Sequence, residues 1–274
     1  MLSKPIIGLA RRKALPGLAV ALALSLGGTG VAAAQQATEP AAGQAAAPAA
    51  PAPILDQAAL DLLKAATTKI ANAKAFEMSV RDLRDVPSDQ GQTLIFVNEA
   101  DVLVERPDKL RLEGSIGGAD TTVVYDGKVL SIYDVDKNVV AKAEIAGTLD
   151  DMIRAAAEKH GVHFAFSDFI ASDPYGALTA GLTHAYEGPP TKIDATETRH
   201  LIFAAPGIEW QLWIDPETSL PRMFAVTYLD RPGQPRFLVD FLSWSLDPEI
   251  EDGDFTLALP ADATVIEFLP NDAQ

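Results

Sequence analysis

The sequence has no cysteine, only three tryptophans and four histidines, and 22 basic residues against 38 acidic ones. Without cysteine there is no disulfide, no thiol nucleophile, no thiolate-bound metal and no cysteine to acylate. The fold must therefore rest on its hydrophobic core alone. Four of the basic residues, Lys4, Arg11, Arg12 and Lys13, fall in the first 34 positions, which hold no acid; the remainder carries 18 Lys and Arg against 38 Asp and Glu, a net charge of −20. Such a surface repels phosphate backbones and anionic bilayers, so nucleic acid is not an expected partner. Also lacking are a G-x-S-x-G nucleophile turn, a phosphate-binding loop, a dinucleotide fingerprint and an H-E-x-x-H zinc motif. No catalytic set, metal site or cofactor is expected, and the reading is of a protein that is not an enzyme.

The longest apolar run is short. Residues 1–34 combine a basic start, the apolar stretch "GLAVALALSLGGTGVAAA" and a small-residue end at Ala32-Ala33-Ala34. That is the pattern of a cleaved secretory signal peptide, and the run from Leu18 to Leu26 falls short of the roughly 20 apolar residues a membrane-spanning helix needs. A periplasmic location with no stable membrane span after cleavage is expected. Residues 35–53, "QQATEPAAGQAAAPAAPAP", hold no large side chain and almost no charge, so they are read as a disordered Ala/Pro-rich tether. The rest, 54–270, is of a size for one domain, expected to be monomeric.

Within that domain the pattern predicts a helix, then strands. Asp56 is a good N-cap, and Leu60, Leu63, Thr67 and Ile70 recur at helical spacing up to about Ala73. From there the period becomes two: "AFEMSV", "TLIFVNEADVLVERP", "KLRLEGSI" and "TTVVYDGKVLSIYDVDKNVVAKAEI" read as a meander of antiparallel strands, with Asp126-Gly127 and Asp136-Lys137-Asn138 as turns. Thr148 and Asp151 form a variant capping box before "LDDMIRAAAEKH", and Gly161 stops that helix. "SDFIASDPYGALTAG" reads as short helical turns with Pro174 in a first turn after Asp173. Strands resume in "THAYEG", "TETRHLIFAA", "WQLWID", "LPRMFAVTY", "RFLVDFLSWSL" and "DFTLALP", with "TVIEF" as a last candidate. In "RFLVDFLSWSL", Phe237, Val239 and Phe241 alternate with Leu238, Leu242 and Trp244, so both faces are apolar. The fold class expected is mainly β, of the α+β kind: a curved antiparallel sheet of about 11 strands wrapped round helices, burying its inner face and much of the outer one.

Candidate sites are few. His160 and His163 sit on either side of Gly161, a helix stop, and need not share a face. The acid-rich run Asp247–Phe255 places Asp252 and Ala258 where a calcium loop needs Gly and Glu. Asp173-Pro174-Tyr175 reads first as a capped helix start, and Asp82, Arg84, Asp85 and Asp89 as a charged hairpin tip. The hairpin "WQLWIDPETSLPRMFAVTY" is more informative. Its alternation puts Trp210, Leu212 and Ile214 on one face, taken as concave, and Gln211, Trp213 and Asp215 on the other, either outside or under the helical insertion. Trp210 either fills core or walls a hydrophobic ligand cavity. On the second reading the candidate ligand-binding residues are Trp210, Leu212, Ile214, Phe224, Val226 and Tyr228.

Several phrases together resemble a known family. "LKAATTKIANAKAFEMSV", "VLVERPDKLRLE", "VVYDGKVLSIYDVDKNVVA", "SDPYGAL", "WQLWIDPETSLPRMFAVTY" and "FTLALPADATVIEF" are similar to the periplasmic proteins grouped as domain of unknown function 2092. That group is similar in turn to lipoprotein carriers of the LolA and LolB type and to the stress regulator RseB. The resemblance spans about Leu55 to Phe268. It implies an incomplete barrel of about eleven strands with helices over its concave face, able to hold acyl chains between sheet and helices. The function expected is binding of a lipid, acyl chain or lipidated partner, such as a lipoprotein, in a hydrophobic cavity. The alternative is a cell-envelope protein-interaction or stress-sensing module with no small ligand. Burying an acyl chain of about 14 carbons is worth up to about 11 kcal/mol at ~0.8 per methylene, ample without a polar anchor.

Overall fold

The computed structural model describes residues 53–268, which form one compact unit. The predicted signal peptide, 1–34, and all but the last residue of the predicted tether, 35–53, lie outside the described residues. The elements run β1 Ile54–Leu55, α1 Gln57–Asn72, β2 Ala75–Pro87, β3 Thr93–Glu105, β4 Lys109–Ile116, β5 Ala119–Tyr125, β6 Val129–Asp134 and β7 Val139–Glu144. A helical insertion follows: α2 Leu149–His160, α3 Ser167–Ile170 and α4 Pro174–Thr179. The chain then returns to strands: β8 His184–Glu187, β9 Thr191–Ile193, β10 Thr196–Ala205, β11 Ile208–Ile214, β12 Pro221–Tyr228, β13 Arg236–Leu246 and β14 Thr264–Ile266. No described helix is long and apolar enough to cross a membrane.

All the described strands belong to one curved, unclosed sheet, in the order β1-β8-β10-β11-β12-β13-β2-β3-β4-β5-β6-β7-β14, with β9 hung on β10. The eleven strands of four residues or more pair antiparallel throughout. The other three are short: β9 pairs antiparallel, while β1 on β8 and β14 on β7 are parallel. β13 pairs with β2 in the middle of that order, so the C-terminal hairpins continue the N-terminal sheet rather than forming a second one.

Local chemistry accounts for the helices. Asp56 accepts from the Ala58 amide at the start of α1, and α1 buries Ala59, Leu63, Ala66, Thr67 and Ile70 along one stripe. At α2 the Thr148 side chain accepts from the Asp151 amide while the Asp151 carboxylate accepts from the Thr148 amide; Gly161, at φ 64°, ends the helix in the left-handed region. Asp173 accepts from the Gly176 amide at 2.9 Å to start α4. These helices share one core cluster with the inward side chains of the sheet, so they cover its concave side. Phe169 of α3 is fully buried, edge-on to Phe224 and Phe241 with ring centroids 5.3 Å away in both cases.

Three expectations need correction. "DFTLALP" is not a strand: Arg111 on the outer face of β4 donates to the Asp254 carbonyl at 3.0 Å, and Lys109 lies over the Phe255 ring, so side chains hold this segment instead of a ladder. Trp244 does not alternate away from Phe241. A bulge between Phe241 and Ser243 shifts the register, leaving Leu242 outside at 46% exposure and bringing Trp244 opposite Met78 and against Phe241. Finally, the outer face is less covered than the apolar pattern suggested, since Ile95 and Val97 of β3 are exposed as well.

Candidate functional site

The interior is filled at one end and hollow at the other. Under β10–β13 the inward positions are Phe203, Trp210, Phe224, Phe237 and Phe241, all buried. Trp210 lies against Phe203 with centroids 3.9 Å apart, and its centroid is 5.8 Å from that of Phe224. Leu212, Ile214 and Val226 are buried in the same cluster. Under β2–β7 the inward positions next to the opening include smaller residues, Val80, Asn98, Ala100, Ala119, Thr121, Val123 and Ala141. There the sheet stands away from the loop that joins α2 to α3, and a cavity of about 460 Å³ remains.

The cavity has an apolar floor and a polar rim. Val80, Ala100, Leu112, Val123, Ile132 and Ala141 form the floor, and Val162, His163, Phe164 and Phe166 of the α2–α3 loop form the roof. Ile266 and Phe268 close one side, with Phe268 packed on His160 at 4.7 Å between centroids. On one part of the rim, buried Asp82 accepts from Asn98 Nδ2 at 2.9 Å and from Arg84 Nε at 2.8 Å, and Asn98 Oδ1 accepts from the Gly117 amide at 2.8 Å. The Arg84 guanidinium also lies over the Phe237 ring at 5.3 Å. On another part, Asp134 and Lys137 form an ion pair that holds the Asp134 carboxyl below its ordinary range, against the desolvation that raises it. Each charge on the rim thus has a partner of opposite sign.

None of the six residues that the hairpin suggested lines this cavity. Trp210, Leu212, Ile214, Phe224 and Val226 are packed together in the filled end. Tyr228 instead borders a separate hollow of about 280 Å³, beside Ile208, Asp230 and Arg231. The Arg231 guanidinium lies 3.8 Å from the Tyr228 ring centroid. Burial pushes the Tyr228 hydroxyl up, Arg231 and Arg84 oppose that shift, and Asp168 adds to it. Asp168 itself, on α3, is pushed up to about 6 by burial. Trp213 is on the outer face, as alternation requires, stacked on His200 across the β10–β11 pair at 4.4 Å.

The residues that do line the cavity were passed over, although a signal for them exists. Inward positions include a Phe or Trp on each of β10–β13 but are mostly Ala, Thr or Val on β5 and β7 and at Ala100, Val102 and Val104 of β3. Side-chain volume at alternate positions, not aromatic content, marks the hollow. The other candidates are resolved locally. His160 packs on Phe268, its imidazole lowered by burial and then by Lys159, while His163 faces the cavity. Among the described residues no group of three or more His, Cys, Asp or Glu side chains is placed to hold a metal ion. Asp173 is engaged as a helix cap, and Asp247 accepts from the Lys74 amide at 3.0 Å.

A curved, unclosed sheet with helices on its concave side defines an incomplete barrel, and the sequence agrees with that class. Residues 59–269 match the family described as predicted periplasmic protein (DUF2092), and the chain belongs to it. No curated protein matches by sequence. Among solved structures, the chain is similar to the Mycobacterium tuberculosis lipoprotein LppX, at 13% identity and a TM-score of 0.45 over 72% of this chain and 98% of that one. It is also similar to the Pseudomonas aeruginosa MucA/MucB complex, at 15% identity and a TM-score of 0.42 over 73% and 61% of the two chains. A third similarity is to a LolA superfamily protein from Nitrosomonas europaea, at 11% identity and a TM-score of 0.36 over 74% and 98%.

Proposed function

We propose that this chain is a non-enzymatic periplasmic binding protein that holds one acyl chain in the hollow under β2–β7. Residues 1–34 act as its export signal and 35–53 as a tether. The observation that carries this reading is the cavity itself. Its volume of about 460 Å³ lies within the ~300–1,000 Å³ range of small-molecule sites. Its floor is aliphatic, and its few polar groups stand at the rim, where an amphiphile's head would sit. Each buried methylene contributes about 0.8 kcal/mol, so an aliphatic floor suffices for retention. The paired charges at the rim do not select a strongly charged head, which fits broad rather than narrow specificity.

The test is to isolate the mature protein from a periplasmic fraction and compare native and denaturing mass spectra. An acyl species that adds mass in the native spectrum and appears free in the denatured one is the expected result. An unloaded protein that also fails to enhance the fluorescence of 11-(dansylamino)undecanoic acid would overturn the reading.

A further inference from the structure

The sheet has an open edge in its middle. β2 and β3 pair along their whole length, from Ala75 opposite Glu105 to Pro87 opposite Thr93. β4, however, covers β3 only from Glu99 to Glu105, because the chain turns away at Gly117 and Gly118 into β5. Among the described residues, Thr93–Asn98 therefore has a strand neighbour on one side alone. At the point where β4 ends, the Asn98 side chain accepts from the Gly117 amide, closing that ladder and leaving the next residues of β3 bare.

Among the described residues no strand covers this bare edge. Proteins usually protect a free strand edge with charge, proline or a covering loop. Thr93-Leu94-Ile95-Phe96-Val97-Asn98 contains no charge and no proline, and Leu94, Ile95 and Val97 are 46%, 62% and 51% exposed. Leu94 and Phe96 share the cavity-side face with Asn98, while Ile95 and Val97 face outward. The segment thus combines unshared ladder groups with apolar side chains on both faces.

We propose that Thr93–Asn98 is a docking edge for an extended segment of another polypeptide, apolar at alternate positions and basic at its ends, which adds to the sheet as a strand beside β3. Two features favour a strand over a bilayer. Hydrocarbon cannot satisfy a row of backbone N–H and C=O groups, whereas a peptide strand does so along its length. The flanking charge is acidic: Asp89 in the hairpin turn, Glu99 at the inner end of the edge, and Asp120 just past the β4–β5 turn, in a chain of net charge −16. Asp89 and Asp120 make no ion pair among the described residues. They attract lysine or arginine at either end of an incoming strand and oppose an anionic membrane. About six residues fit, spanning roughly 20 Å. Their inward side chains would lie beside Asn98 at the cavity rim, so an acylated partner would dock with its chain close to the mouth.

The proposal does not depend on the acyl reading, and the test separates the two. The probe is a fluorescein-labelled peptide of about ten residues, alternating valine and threonine with lysine at both ends, compared with a glutamate-ended version. The lysine-ended peptide is expected to bind and to slow amide hydrogen exchange at residues 93–98, with the glutamate-ended one at least about tenfold weaker. The double variant Ile95→Lys, Val97→Lys, changed only at exposed side chains that do not line the cavity, should lose the peptide and load the dansyl fatty acid as the parent does. Absence of protection at 93–98 in the parent protein would overturn the proposal without recourse to any variant. So would equal binding of the two peptides, or co-sedimentation with phosphatidylethanolamine–phosphatidylglycerol vesicles that the double variant abolishes while no peptide binds. The same holds for a dimer of this chain that the double variant dissolves while no peptide binds. Failure of fatty-acid loading in both proteins, with peptide protection intact, would count against the cavity reading and leave the docking edge standing.

Discussion

Trp210 lies nearly flat on Phe203, the rings 15° from parallel with centroids 3.9 Å apart, at the filled end of the barrel. The indole is 1% exposed and does not reach the cavity. Trp210→Ala is expected to cost about 3–5 kcal/mol in urea unfolding, the usual loss for truncating a buried aromatic. Dansyl fatty-acid loading of the folded variant should equal the parent's. A stable variant with poor loading would place the ligand at the aromatic end instead.

The opposite response is expected at Ala141. Its side chain lies on the cavity floor across from Ile132 on β6. Ala141→Phe adds a ring into open space, so its stability cost should stay below the ~1–3 kcal/mol that overpacking a filled core brings. Loading should be lost, as measured by dansyl fluorescence alongside urea unfolding.

Gly114 reports on how the sheet bends. It pairs with Ala100, and a Cβ built on it would fall 2.0 Å from the Glu99 carbonyl oxygen and 2.6 Å from the Ala100 Cα. Backbone atoms cannot step aside as a flexible side chain can. Gly114→Ala should therefore cost at least the ~1–3 kcal/mol of an overpacked site and lower the thermal midpoint.

Asp168 makes stability depend on pH in a defined direction. Burial pushes its carboxyl up to about 6, against an ordinary value near 3.9 in the unfolded chain. Between about pH 4 and 6 the folded state keeps a proton that the unfolded state has lost, so stability falls as pH rises, and the penalty is complete above about 6. It amounts to no more than about 2–3 kcal/mol. Asp168→Asn should stabilise by up to that amount at pH 7 and by nothing below about pH 4, as read from urea midpoints across the range. An effect that grows toward acid would reverse the assignment.

Features set by near neighbours in the chain were legible before any coordinates. Asp56, the Thr148/Asp151 box and Gly161 place the ends of α1 and α2 because caps act within one turn. Alternation put Trp210 and Trp213 on opposite faces, since the period of a strand is two. Features that depend on distant partners were not legible. The bulge that turns Trp244 inward exists because β13 has to match β2, and the Asp254–Pro260 segment is held by Arg111 from β4. The hollow under β2–β7 was not legible for the same kind of reason. Aromatic residues drew attention to β11 and β12, but where an interior stays open depends on how small the facing residues are, as at Ala100 and Ala141, once the register is known.

The uneven filling of the barrel has a mechanical consequence. The roughly 460 Å³ hollow has an aliphatic floor, and whatever part of it stays dry in the folded chain is eliminated on unfolding, so the molecule shrinks in total volume by an amount that scales with that dry part. Hydrostatic compression should therefore favour unfolding of the unloaded protein. A guest in the hollow, or a ring supplied by Ala141→Phe, should raise the pressure that it withstands.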